Sequence, residues 1–306
     1  MAQLVARRTG WVLTDHALDK TADGGATWTG VTPPGVQPVR VRGVFFLDPR
    51  DGWVVAARAG HPEQLQISTT ADGGASWSTS PLGQPDGYFA DSAALPAYVD
   101  FIDPRHGWVV AMSGGGGGYA PGILLKTSDG GATWQRLPVP TGGPVEFISP
   151  STGWLTSAGQ PGTRFSESFY VTRDGGRTWR PETVTPPAGF HRDQAIYAAP
   201  AFTTPAHVLL AAFDNGARSA AGFYRTRDGG ATWHLAAIVP AGRPAGGDVG
   251  PAAAVASASH WVAVSLHGTA SRTSPGMGPR KPSPLSACHR EASVTLQSPT
   301  RDQSGP

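Results

Sequence analysis

The stretch TSDGGATW, residues 127–134, decides the fold because the chain repeats it. A catalytic motif is needed once in a chain, whereas an element of architecture is needed once in every structural unit. The intervals between successive copies are 49, 57, 45 and 54 residues, which predicts a repeat protein. The other copies are TADGGATW (21–28), TADGGASW (70–77), TRDGGRTW (172–179) and TRDGGATW (226–233).

A second motif lies upstream of the DGG copies and ends in an alternating strand. Each copy contains an apolar pair, a turn cluster and a strand, which is typical of an antiparallel hairpin. A third strand precedes DGG and a fourth follows it, as in GILLKTS (122–128) and ATWQRL (132–137). Four antiparallel strands at this period predict a β-propeller blade. The clearest upstream copies are LVARRTGWVLT (4–14), FLDPRDGWVVA (46–56), FIDPRHGWVVA (101–111) and FISPSTGWLTS (147–157).

The strand patterns predict an all-β propeller with five complete blades and a partial sixth, which together cover residues 1–268. The sixth blade has two strands, at about 252–266. Residues 269–306 are rich in Pro and Ser and predict a disordered tail. Out-of-frame translation of a GC-rich gene is the favoured explanation of this tail, and a natural Pro/Ser tail is the alternative. The complete blades are predicted at roughly 2–31, 39–80, 96–138, 144–182 and 196–239.

The residues of the DGG motif have structural roles in this interpretation. The glycines supply the positive φ of a hairpin turn between the third and fourth strands. The aspartate carboxylate accepts backbone N–H bonds and locks the turn, and the tryptophan packs against the sheet. The aspartates are Asp23, Asp72, Asp129, Asp174 and Asp228, and the tryptophans are Trp28, Trp77, Trp134, Trp179 and Trp233.

The pattern S/T-x-D-x-G-x-T/S-W resembles the Asp-box, or BNR repeat, of sialidases, sortilin-type receptors and related propellers. Combined with the F-x-D-x-x-x-G-W-V-V strands, it is similar to the photosystem II stability/assembly factor-like family of BNR propellers. The resemblance implies that the Asp-box is a fold element, and that intact relatives are secreted or lie in the cell envelope. No photosynthetic context is visible in the sequence.

Ligands of propellers bind where loops of several blades converge, and the predicted face lies opposite the DGG turns. The favoured function is a non-enzymatic scaffold for a protein or an envelope component. The alternative is a sialidase-like glycoside hydrolase, which needs an arginine cluster, a phenol and a carboxylate partner such as Glu63 or Glu167. The N-terminal Arg-Ile-Pro element usual in sialidases is missing. The candidate binding residues are Arg58, Tyr88, Tyr119, Arg164, Arg192 and Arg218.

Composition excludes several other functions. The formal net charge of +2 on 306 residues gives no electrostatic surface for a nucleic acid. No stretch approaches the ~18 apolar residues of a membrane helix, and the start of the chain as written carries no export signal. The histidines and the single Cys288 show no metal-binding spacing, so we expect no metal and no cofactor.

Overall fold

The computed structural model describes eleven segments of the chain, which contain 24 β-strands and one short 3-10 helix, Pro38–Arg40. Two compact units, Met1–Glu182 and Thr183–Pro306, divide the chain. The described residues are 2–82, 95–112, 121–157, 169–191, 195–197, 200–202, 207–214, 219–241, 251–257, 260–266 and 292–296.

The first unit contains four antiparallel sheets of four strands each, paired in chain order. They are the first four predicted blades. Blade 1 has β1 (Ala2–Leu4), β2 (Gly10–Leu13), β3 (Leu18–Thr21) and β4 (Thr29–Gly30). Blade 2 has β5 (Val41–Phe46), β6 (Gly52–Arg58), β7 (His61–Thr70) and β8 (Ser78–Pro81). Blade 3 has β9 (Ala97–Phe101), β10 (Gly107–Met112), β11 (Gly122–Thr127) and β12 (Gln135–Leu137). Blade 4 has β13 (Val145–Phe147), β14 (Gly153–Thr156), β15 (Phe169–Thr172) and β16 (Arg180–Pro181).

The second unit contains the fifth and sixth sheets. In blade 5 both β17 and β18 pair with β19, which continues to β20 and β21. Blade 6 is a sheet of three strands in the order β22, β23, β24. The prediction of an all-β fold with five complete blades and a partial sixth is therefore confirmed. The strands are β17 (Ala195–Tyr197), β18 (Ala201–Phe202), β19 (His207–Asp214), β20 (Ser219–Thr226), β21 (His234–Ala241), β22 (Pro251–Ser257), β23 (His260–Leu266) and β24 (Ala292–Leu296).

The third strand of blade 6 differs from the sequence prediction. Its residues fall in the stretch predicted as a disordered tail, yet Ala292–Leu296 pairs antiparallel with Val262–Leu266 of β23. The five residues ASVTL alternate apolar and polar side chains, which suits a strand at a sheet edge. Sequence analysis overlooked them because the alternation is short and its surroundings are rich in Pro and Ser. The rest of 269–306 lies outside the described residues.

Stacked aromatic rings join neighbouring blades of the first unit. The tryptophan of the second strand of one blade lies flat on a phenylalanine from the first strand of the next blade. The ring centroids are 3.6–3.8 Å apart and the planes within 9° of parallel. Such pairs contribute about 0.5–1.5 kcal/mol each beyond the burial of their area. They are Trp11 with Phe46, Trp53 with Phe101, and Trp108 with Phe147.

In blades 2, 3 and 4 the glycine of the GW pair makes room for the phenylalanine of the first strand. A Cβ atom on Gly107 would lie 2.3 Å from the ring of Phe101, which is opposite it in the strand register. Gly52 and Gly153 approach their own phenylalanines equally closely. The repeated combination of Phe, Gly and Trp is thus a packing unit, because the ring occupies the space of the missing side chain.

The tryptophans of the DGG motif extend this core, with one exception. Trp77, Trp134 and Trp179 each stand edge-on to the phenylalanine of their own blade, with centroids 6.2–6.4 Å apart. Trp233 is buried in the second unit. Trp28 is 49% exposed. The expectation that this tryptophan packs against the sheet therefore fails in blade 1.

Candidate functional site

The DGG turn of blade 3 is a closed network of hydrogen bonds. Oδ1 of Asp129 accepts bonds from Oγ1 of Thr127 at 2.8 Å and from the backbone N–H of Thr133 at 2.9 Å. Oδ2 accepts a bond from Oγ1 of Thr133. Oγ1 of Thr127 accepts the backbone N–H of Gly131 at 2.9 Å. Gly130 and Gly131 have φ values of 78° and 101°, which residues with a side chain rarely adopt.

The other four DGG turns repeat this geometry. In each, the aspartate accepts from a Thr two residues earlier and from the backbone and hydroxyl of a Thr or Ser four residues later. These bonds, led by the later hydroxyl, hold the pKa of all five carboxyls below its ordinary value. For Asp129 and Asp174 the pKa falls to about 2. The five carboxylates are therefore ionised at neutral pH, and their bonds stabilise their own turns.

Each DGG turn of the first unit is also bonded to the first turn of its own blade. The backbone N–H of Gly130 donates to the carbonyl of Arg105 at 2.9 Å. Blades 1, 2 and 4 make the equivalent bond at 2.7–2.8 Å. Both turns therefore lie at one end of the blade, and the loops between second and third strands lie at the other end. The latter end is the predicted binding face, called here the loop face.

Two lysines, which sequence analysis did not single out, fasten neighbouring blades at the DGG end. Nζ of Lys20 donates to the carbonyls of Pro49 and Gly73 in the next blade, both at 3.2 Å. Nζ of Lys126 donates to the carbonyl of Pro150 at 3.1 Å and lies 5.4 Å from the ring centroid of Trp108. The available signal was their position, since both directly precede the Thr of a DGG motif in a chain with few lysines.

Most of the predicted binding residues lie outside the described residues. Arg58 is described: it ends β6 at the loop face, is exposed, and donates from Nη1 to Oε1 of Gln64 at 3.1 Å. Whether the predicted residues converge stays a prediction. Those outside the described segments are Tyr88, Tyr119, Arg164, Glu167, Arg192 and Arg218, and the side chain of Glu63 is not described.

Two further arginines that sequence analysis missed lie beside Arg58. Nη1 of Arg40 donates to the carbonyl of Arg58 at 3.3 Å, and its Nε donates to Oε1 of Gln37 at 2.9 Å. Nη1 of Arg42 donates to the carbonyls of Val39 and Val41 at 3.1 and 3.2 Å. Burial, with a smaller contribution from the charge of Arg40, lowers the pKa of Arg42.

These three arginines, 40, 42 and 58, are called here the arginine group. Within the described residues their side chains donate to carbonyl and amide oxygens, and no described carboxylate forms an ion pair with any of them. An arrangement of unneutralised guanidinium groups favours an anionic ligand. The signal available in the sequence was the spacing R-V-R at 40–42, just before the first strand of blade 2.

In the part of the chain that the structure describes, no group of three or more His, Cys, Asp or Glu side chains could hold a metal ion. No described helix is long and apolar enough to cross a membrane.

Comparison with known proteins gives one curated relative at significant similarity. The chain is 32% identical over 153 residues to the photosystem II assembly lipoprotein Ycf48 of Synechococcus sp. (strain CC9902). The match covers 49% of this chain and 38% of that protein, so the chain spans less than half the length of the curated relative. No family model matches the chain.

Comparison with solved structures also finds YCF48. YCF48 bound to D1 peptide aligns with a TM-score of 0.53 and 19% identity, over 86% of this chain and 74% of that one. The fold is a β-propeller. YCF48 from Cyanidioschyzon merolae aligns with a TM-score of 0.50 and 16% identity, over 86% and 78% of the chains. The GH74 xyloglucanase of Xanthomonas campestris gives 0.54 and 16%, over 87% of this chain and 41% of that enzyme. At these identities the structural likeness shows the fold alone.

Proposed function

We propose that this chain is a non-enzymatic scaffold that binds a segment of another protein during the assembly of a larger complex. The supporting observation is the similarity to Ycf48, an assembly lipoprotein, together with a solved YCF48 structure that holds a D1 peptide. The proposed partner is a protein or a component of the cell envelope. The photosystem II role of the relative is a property of that relative.

The loop face carries the proposed binding site. At the other end of each described blade in the first unit, the repeated carboxylates and carbonyls are bonded within the turns themselves. The arginine group, by contrast, offers charge that no described carboxylate neutralises. Guanidinium groups bind carboxylates through paired hydrogen bonds, so the proposed ligand is an acidic peptide segment or a free chain terminus. The predicted residues Arg164, Arg192 and Arg218 would extend this site.

Fluorescence anisotropy of the full chain tests the proposal. The probes are a fluorescein-labelled peptide rich in Asp and Glu with a free C-terminal carboxylate, and the same peptide with its acidic residues replaced by Gln and its C-terminus amidated. The variant replaces Arg40, Arg42 and Arg58 by Gln, and we expect it to bind the acidic peptide at least tenfold more weakly, or about 1.4 kcal/mol. The matched control replaces Arg50 and Arg105, at the DGG end, by Gln.

The control should bind the acidic peptide as tightly as the wild type does, and added salt should weaken that binding, because screening weakens a charge-based site. An affinity that does not change with salt would contradict a charge-based site. Equal affinity for the two probes, or equal losses in both variants, would contradict the proposed site.

The glycoside hydrolase alternative requires turnover. Its candidate residues Tyr119 and Glu167 lie outside the described residues, and the likeness to the xyloglucanase is one of fold. We expect no hydrolysis of fluorogenic sialosides or β-glycosides above background. Turnover that disappears when Tyr119 or Glu167 is replaced would instead make the hydrolase the leading function.

A further inference from the structure

One position in the first strand of blades 1, 2 and 3 faces the next blade, and blade 4 has the equivalent position. In the strand register it is the residue opposite the GW tryptophan, directly before the residue opposite the glycine. The side chain at this position differs from blade to blade, although the strands around it repeat. It is Gln3, Phe45, Asp100 and Glu146 in blades 1 to 4.

Gln3 shows what a polar side chain does at this position. Its Nε2 donates to the carbonyl of Phe46 at 2.9 Å, and its Oε1 accepts the backbone N–H of the same residue at 3.0 Å. A neutral amide thus satisfies both backbone groups of the phenylalanine that stacks on Trp11. The contact fastens blade 1 to blade 2.

Asp100 occupies the same place between blades 3 and 4. Its side chain is buried, with the residue 4% exposed, and Oδ2 accepts the backbone N–H of Phe147 at 2.6 Å. Phe147 in turn lies between Trp108 and Trp179. A protonated carboxyl group offers one donor and one acceptor, as an amide does, whereas a carboxylate can only accept. Because Asp100 is buried and no described cation pairs with it, the charged form of its carboxyl group is disfavoured.

Glu146 directly precedes Phe147 and places a second carboxyl group near the first. The charged residues on the strands packed against β9 are Glu146 on β13, Arg42 on β5 and Arg58 on β6, and β10 has none. Arg42 and Arg58 are bonded elsewhere, at the loop face.

We propose that the Asp100 carboxyl group keeps its proton up to neutral pH, and that loss of this proton loosens the joint between blades 3 and 4. A buried carboxylate loses the solvation that water would give it, and the carboxyl group of Glu146 nearby adds repulsion when it is ionised. The first strand of blade 4 has only three residues, so it has few other bonds to resist this repulsion.

The direction of the shifts agrees with this geometry. Burial raises the pKa of Asp100 to about 7, against the opposing effect of the bond from Phe147 N–H. Burial, and then the charge of Asp100, raise the pKa of Glu146 well above its ordinary value. Because the folded state binds the proton more tightly than the unfolded chain does, the contribution of this site to stability is greatest at low pH. It is lost as the pH rises from about 4 through about 7.

Thermal unfolding of the full chain at pH values between 5 and 8 tests the proposal. Asp100→Asn replaces the carboxyl by a neutral amide of the same shape, the chemistry that Gln3 already provides. We expect its melting temperature to match the wild type at pH 5 and to exceed it by roughly 5 °C or more at pH 8. Asp15→Asn, which removes an exposed carboxylate, controls for net charge and should follow the wild-type profile.

A reciprocal variant and a direct titration keep the test decisive if Asp100→Asn fails to fold. Gln3→Glu introduces a titratable group between blades 1 and 2, and we expect it to create a new loss of melting temperature with rising pH. Carbon-13 NMR of the Asp100 carboxyl in the wild type should show a titration midpoint near 7. A midpoint below about 5, or parallel profiles for the wild type and Asp100→Asn, would overturn the proposal.

Discussion

The substitution Thr127→Val tests whether the repeated motif is a structural element. Thr127 is 2% exposed, and valine keeps its branched shape while removing the hydroxyl group. The hydroxyl donates to Asp129 and accepts the N–H of Gly131, which is buried. Valine leaves that N–H without its partner and removes a bond to a charged group. We expect the free energy of unfolding to fall by about 2–3 kcal/mol.

The control is Thr127→Ser, which keeps the hydroxyl group and loses one methyl group, at a cost of about 1 kcal/mol. Urea unfolding of the full chain, followed by tryptophan fluorescence, measures both changes. The valine variant should also melt roughly 4–12 °C lower than the wild type, taking the first unit as the cooperative element. Peptide affinity at the loop face should be unchanged in both folded variants. A valine variant as stable as the serine variant would refute the assigned role of the hydroxyl group.

Three further variants test the packing and the charges of the repeat. Gly107→Ala introduces a Cβ into the ring of Phe101 and should lower the free energy of unfolding by about 1–3 kcal/mol, measured by urea titration. Asp174→Asn should be less stable than the wild type at pH 6. The difference in urea midpoint should shrink as the pH falls from about 4 towards 2, because the lowered pKa of Asp174 means that its carboxyl group stabilises the fold in its ionised form. Lys126→Met removes the ammonium group that lies over the ring of Trp108. We expect a lower melting temperature and a changed tryptophan fluorescence of the folded state, because the cation–π contact is lost.

The fold was predictable from sequence because each repeat states the same local requirements. The DGG glycines need positive φ, the aspartate needs hydroxyls at fixed spacing, and the GW glycine needs a phenylalanine six residues earlier. These are short-range patterns that recur in register. Strand β24 escaped prediction because it is a single short alternation that gains its partners only from the edge of β23.

The candidate site was less predictable, because its contacts join residues that are distant in the chain. The bond between Asp100 and Phe147 spans 47 residues, and the bond between Lys20 and Gly73 spans 53. Nothing in the local sequence around Asp100 marks its carboxyl group as buried, and Asp103, three residues later, is only partly buried. The membership of Arg40 and Arg42 in the arginine group was likewise not predictable, because their carbonyl partners and Arg58 come close to them only in the folded blade.

Two sets of carboxyl groups thus make contributions to stability with opposite pH dependence in this protein. Those of the DGG turns are held ionised by hydroxyl and amide donors, so their contribution to stability is lost as acid protonates them. Burial raises the pKa of Asp100 and of Glu146, so their contribution is lost as the pH rises from about 4 through about 7. The stability that these carboxyl groups contribute should therefore be greatest near pH 4, between two limbs of separate origin. Asp174→Asn should flatten part of the acid limb alone, and Asp100→Asn the alkaline limb alone, because the two sets of carboxyl groups share no donor.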